Sequence, residues 1–143
     1  MKFNSNDFAE MKVDSICIID DDKIYRFTTE KYLQMLRLTS KVMTYADGEE
    51  AISYLRDNSQ DPSKLPDIIF LDLNMPIMDG WDFIEEYIKL RPNLAKKIVV
   101  YMVSSSIDER DQARALEISE VSDFIIKPIT EEQLITLVGK AVA

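Results

Sequence analysis

Three apolar runs end in acidic or basic residues, where side chains meet solvent at the mouth of a buried strand. Asp72 closes Ile68-Ile69-Phe70-Leu71 and is followed by Asn74-Met75-Pro76. Asp20-Asp21-Asp22 closes Ile16-Cys17-Ile18-Ile19, and Lys127-Pro128 closes Phe124-Ile125-Ile126. A strand-end carboxylate can serve as a nucleophile or a metal ligand. Two carboxylates ~4 Å apart repel by about 4 kcal/mol at an effective dielectric near 20, so a converging acidic cluster needs a proton or a cation. Oxygen donors with no nitrogen or sulfur among them suit Mg²⁺. A carboxylate such as Asp72 can attack phosphorus to give an acyl phosphate. A divalent ion and the Lys127 ammonium would offset the charge of the transferred group. Ser104 follows Val99–Val103 and can donate a hydrogen bond to a phosphoryl oxygen. Taken singly these residues have plainer readings. Asp22 suits a helix cap, a strand-end lysine is often only a surface charge, and a serine after a strand is often a turn residue.

The elements that must bring these residues together are legible in the hydropathy pattern. Apolar runs at Ser15–Ile19, Asp67–Leu71, Ile98–Val103 and Asp123–Ile126 read as strands buried on both faces, and the more polar Lys41–Tyr45 as an edge strand. Amphipathic segments alternate with them. Tyr25, Thr28, Thr29, Tyr32, Leu33 and Leu36 share one helical face. Trp81, Ile84 and Ile88 mark a face of the helix after Gly80. Asp47 with Glu50, Ser106 with Glu109 and Thr130 with Gln133 have the spacing of capping boxes. Residues 1–13 are polar and irregular and read as an N-terminal tail, leaving 14–143 as one domain. The alternation predicts an α/β fold, a doubly wound five-stranded parallel sheet with helices on both faces. In such sheets ligands bind beyond the carboxyl ends of the strands, where Asp20, Asp21, Asp72, Ser104 and Lys127 all fall.

Composition narrows the chemistry. The 143 residues carry a formal net charge of -9, which disfavours nucleic acid and anionic membrane surfaces. The sequence contains no histidine, which excludes a Ser-His-Asp triad, a His-ligated zinc site and a phosphohistidine carrier within this chain. The single cysteine, Cys17, forms no intramolecular disulfide and suits a cytoplasmic protein. No stretch approaches the ~20 apolar residues of a membrane helix.

The whole pattern, Ile18-Ile19-Asp20-Asp21-Asp22, Phe70-Leu71-Asp72-Leu73-Asn74-Met75-Pro76 with Asp79-Gly80, Val103-Ser104-Ser105 and Lys127-Pro128, resembles the receiver domain of two-component response regulators. It is most similar to the single-domain, chemotaxis-type members. The resemblance covers roughly residues 14–143 and implies a flavodoxin-like sheet with strand order 2-1-3-4-5. It implies that Asp72 accepts a phosphoryl group from a histidine kinase or a histidine phosphotransfer protein. It further implies that Asp20, Asp21, Asp72 and the backbone carbonyl of Asn74 hold Mg²⁺. Ser104 matches the switch hydroxyl, Lys127 the family lysine and Phe124 the switch aromatic, which would turn inward as Ser104 moves; the Lys127-Pro128 bond is expected to be cis. Ser105 stands where the family usually has a small residue and is the runner-up for the switch role. The Ser104–Lys127 interval is one residue longer than in the simplest members. The implied protein is a stand-alone response regulator that acts on a downstream protein target and promotes its own phosphorylation and dephosphorylation. Two other readings compete: a receiver-fold docking module that works without phosphorylation, and a Mg²⁺-dependent aspartate-nucleophile phosphatase. The latter expects a second aspartate where this chain has Asn74.

Overall fold

The fold was obtained as a computed structural model that describes residues 12–142. Its strands are β1 Val13–Ile19, β2 Thr39–Tyr45, β3 Ile68–Asp72, β4 Val99–Ser104 and β5 Val121–Ile126. Its helices are α1 Lys23–Met35, α2 Gly48–Asp57, α3 Gly80–Leu90, α4 Glu109–Leu116 and α5 Glu131–Val142. The strands form one parallel sheet in the order β2-β1-β3-β4-β5, the doubly wound flavodoxin-like topology expected from the sequence. The tail assigned to residues 1–13 lies outside the described residues except for Lys12 and Val13, and Val13 already belongs to β1.

The period-2 pleat divides the central strands between two cores. Ile16, Ile18, Ile68, Phe70, Tyr101 and Val103 face one side, where Leu33 of α1 and Leu134 and Val138 of α5 cover them. Cys17, Ile19, Ile69, Leu71, Val100 and Met102 face the other, under Ile52 and Leu55 of α2, Phe83, Ile84 and Tyr87 of α3 and Ala115 of α4. Each fully buried aliphatic or aromatic side chain contributes ~1.5–3 kcal/mol, so these two layers hold the sheet in place.

Several local expectations need correction. β5 is an edge strand with Ser122 and Ile126 exposed, because no strand among the described residues pairs beyond it; its short apolar run had suggested burial on both faces. The inward face of α3 is Phe83, Ile84 and Tyr87; Ile88 is exposed. A buried tyrosine shifts the stripe by about one position from the one that the aliphatic residues mark. α4 is capped by Asp108, not Ser106, and stops at Leu116. Asp47 caps α2 through the Glu50 N–H alone, whereas Asp79 and Asp82 form a reciprocal box on α3 that the sequence reading passed over. Thr130 and Gln133 do cap α5 from both sides.

Gly80, the first residue of α3, is required by close approach. Its N–H donates to the Leu73 carbonyl at 2.8 Å. A Cβ there would lie 2.8 Å from Leu73 Cα and 2.9 Å from the Asp72 carbonyl oxygen. Both neighbours are backbone and cannot swing away. Gly80→Ala is therefore expected to destabilise the fold by about 2 kcal/mol, despite the better helix propensity of alanine. Urea melts would check this, and an unchanged midpoint would contradict it.

Candidate functional site

Strand register builds the site. Ile18 pairs with Phe70 and Ile19 with Leu71, so Asp20 and Asp72 leave the sheet side by side. Ser104 pairs with Ile126, which delivers Lys127 next door, and the Lys127 N–H donates to the Ser104 carbonyl at 2.8 Å. The β4–β5 register slips where Val100 pairs with Val121 and Tyr101 with Asp123, leaving Ser122 over. Such a bulge is where one additional residue fits without displacing Lys127.

Asp20, Asp21 and Asp72 each bring a carboxylate oxygen within 4.8 Å of the others. Asp20 and Asp72 are buried, at 1% and 4% exposure, while Asp21 is open to solvent. Lys127 Nζ lies 2.7 Å from Asp20 Oδ2 and 3.6 Å from Asp72 Oδ1. The Asp20 carboxylate also accepts the Asp22 N–H at 2.9 Å, and Asp22 in turn caps α1 through the Ile24 and Tyr25 N–H groups. Burial, then the neighbouring Asp20, pushes the Asp72 carboxyl up from its ordinary 3.8 to about 7; Lys127 and the Asn74 N–H act in the opposite sense. The Asn74 N–H stands 3.4 Å from Asp72 Oδ1, a weak contact.

These carboxylates outnumber the one ammonium that meets them, and all the donors are oxygen. That donor chemistry fits a hard divalent cation such as Mg²⁺. The strained backbone lies nearby. Ile77 has φ 70 and bridges a γ-turn in which the Met78 N–H donates to the Pro76 carbonyl at 2.8 Å. Positive φ is unusual for a β-branched residue.

The response regulator receiver domain model matches residues 16–139. The chain belongs to the response regulator receiver family. A crystal structure of a two-component response regulator from Cytophaga hutchinsonii shares 32% sequence identity and a TM-score of 0.83, covering 92% of this chain and 98% of that one. A response regulator receiver protein from Dyadobacter fermentans shares 31% identity and a TM-score of 0.78, covering 90% of this chain and 98% of that one. The sensor histidine kinase CheAY of Helicobacter pylori is 31% identical over 89% of this chain, which spans only 15% of that kinase. The chain likewise spans less than half of several other curated relatives, which are named as transcriptional regulators.

Within this receiver domain the sequence-derived positions fall as follows. Asp20, Asp21, Asp72 and Lys127 converge. Ser104 is wholly buried and its Oγ accepts the Ser106 N–H at 3.0 Å, whereas Ser105 is exposed. Phe124 is buried in the core cluster that contains Met102 and Ala115. The Lys127-Pro128 peptide is cis.

Two contacts escaped the sequence reading. Arg26 donates from Nη1 to the Asp20 carbonyl at 2.6 Å, and the Tyr25 ring lies against the Lys127 ammonium. The available signal was Asp22 as a cap, which puts Tyr25 and Arg26 on the opening turn of α1, beside the strand ends. No helix among the described residues is long and apolar enough to cross a membrane.

Proposed function

We propose that this receiver domain is a self-sufficient phospho-accepting unit of a phosphorelay. Asp72 accepts the phosphoryl group from a histidine kinase or a histidine phosphotransfer protein. An Asp72 oxygen forms the new P–O bond while the donor's P–N bond breaks, and the imidazole leaves with the electron pair. The observation that carries this reading is the convergence of Asp20, Asp21 and Asp72 within 4.8 Å, beside a lysine that reaches both buried carboxylates.

Mg²⁺ would be held by Asp20, Asp21, Asp72 and the Asn74 carbonyl, and would supply positive charge against the phosphoryl oxygens. Lys127 adds a point charge from within the protein. Ser104, at the end of β4, is the switch hydroxyl, favoured over the exposed Ser105 by its burial. Phosphorylation biases the domain toward an active conformation through Ser104, Lys127 and Phe124. The groove between α4, β5 and α5, lined by Gln112, Phe124, Ile126, Gln133 and Leu137, suits a downstream protein target, and Ile126 is exposed within it. The proposed setting is the cytoplasm, and neither nucleic acid nor membrane is among the proposed partners.

Incubation with acetyl phosphate and Mg²⁺, followed by intact-mass spectrometry, tests the proposal. The parent protein is expected to gain one phosphoryl group, and to gain none when a chelator removes the metal. Asp72→Asn is expected to gain none under either condition. Unmodified parent protein, or modification that persists in the Asn variant, would refute the assignment. Partner binding that survives Asp72→Asn unchanged would favour the phosphorylation-independent docking module instead.

A further inference from the structure

Tyr25 stands on the opening turn of α1, and Lys127 Nζ sits over the face of its ring, 4.2 Å from the centroid. On its other side the same nitrogen meets Asp20 Oδ2 at 2.7 Å and Asp72 Oδ1 at 3.6 Å. The ammonium is thus held between an aromatic face and two buried carboxylates. A ring quadrupole attracts a cation most strongly where water is excluded, and the Lys127 side chain is only 17% exposed. The Tyr25 Oη is buried and has no hydrogen-bond partner among the described residues. A buried hydroxyl without a partner is unfavourable, so it is the ring that this position uses, not the oxygen. Tyr25 also lines a groove together with Thr28, Tyr32, Pro128 and Ile129. Without the ring, the flexible lysine stem loses the aromatic face it rests on.

We propose that Tyr25 is a positioning residue: its ring backs Lys127 and keeps the ammonium aimed at Asp72. The aim sets both how fast a phosphoryl group arrives on Asp72 and how long it stays. This inference rests on the reading of Asp72 as the phosphoacceptor. As charge builds on the transferring group, a lysine that is already pointed at it needs no reorganisation.

The test compares the parent, Tyr25→Phe and Tyr25→Leu with acetyl phosphate and Mg²⁺, following uptake by intact mass and decay after the donor is removed. Tyr25→Leu is expected to be phosphorylated about 3- to 10-fold more slowly and, because the same ammonium also eases attack of water on the phosphoryl group, to keep the group longer by a similar factor. Tyr25→Phe, which keeps the ring, is expected to stay within about 2-fold of the parent on both measures. Circular dichroism and thermal melts confirm that each variant is folded, and Tyr25→Met replaces the leucine variant if that one is not. A leucine or methionine variant that matches the parent overturns the proposal. So does a phenylalanine variant as impaired as the leucine one, since the hydroxyl would then be what matters. If the parent itself gains no group at Asp72, the phosphoacceptor reading fails and takes this inference with it. If the parent is modified and the variants match it, only the role of Tyr25 is lost.

Discussion

Asp72→Asn is expected to make the metal-free protein more stable at pH 8 while it removes phosphoryl uptake altogether. Asp72 is buried beside Asp20, and its carboxyl is pushed up to about 7. The folded-state value exceeds the unfolded one, so the fold favours the protonated acid. Below about pH 4 the carboxyl is protonated in both states, and Asp72 carries no penalty. As pH rises from about 4 to about 7 the unfolded chain ionises first, and stability falls. Above about 7 both states are ionised, and the full penalty persists. Asparagine keeps the shape and removes the charge. The expected gain above pH 7 is about 1–2 kcal/mol, less than full burial would imply, because water reaches the mouth of the site. Near pH 4 the difference should shrink toward nothing. Urea melts of both proteins across this range, with a chelator present, measure it. Excess Mg²⁺ should narrow the gap at pH 8, since a cation that binds only the folded state stabilises the parent more than the variant. An asparagine variant less stable than the parent at pH 8 would mean that the carboxylate is already neutralised by its surroundings.

Lys127→Met is expected to act in the opposite direction. The ammonium is the charged partner of Asp20, at 2.7 Å, and stands 3.6 Å from Asp72. Removing one member of a buried pair leaves the other charge uncompensated, which typically costs about 3–5 kcal/mol. Here the partial opening of the site reduces the expectation to about 2–4 kcal/mol in the metal-free protein at pH 7. The same substitution frees an Asp20 oxygen, so Mg²⁺ should recover more stability in the variant than in the parent. Thermal melts over a Mg²⁺ titration distinguish the two. Phosphoryl uptake should slow by on the order of 10²-fold, the usual effect of deleting one charge-stabilising group. A variant that melts with the parent in the absence of metal would show that the ion pair adds nothing to the fold.

Much of this site was readable before any coordinates. Asp72, Asp20 and Lys127 each follow an unbroken apolar run, and a carboxylate or an ammonium directly after such a run has few places to be except the end of a buried strand. The errors lie where local pattern is degenerate. Phe124-Ile125-Ile126 looks the same whether a strand is central or at an edge, and Ile126 is exposed because β5 ends the sheet among the described residues. Ser106 and Asp108 are both good caps with suitable spacing, and the path of the loop after β4 chose the second. Tyr87 was not counted with the aliphatic residues of α3, which moved the inferred face away from Phe83. The reciprocal bonds of Asp79 and Asp82 across the first turn of α3 were passed over, because two acidic residues lack the usual Ser/Thr-to-Glu signature of a capping box.

What the sequence determined alone was the inventory and its phase: an oxygen-rich acidic group, Lys127 directly after an apolar run, a chain without histidine, and a period that sends these charged residues to one edge of a parallel sheet. What the tertiary structure decided was who touches whom. Lys127 lies closer to Asp20 than to Asp72, Ser104 is enclosed while Ser105 is not, and the ring of Tyr25 backs the ammonium. The physical reason is that hydropathy repeats along one chain direction. They assign each side chain to a face, but contact across strands is set by order, register and helix packing, which belong to the assembled sheet.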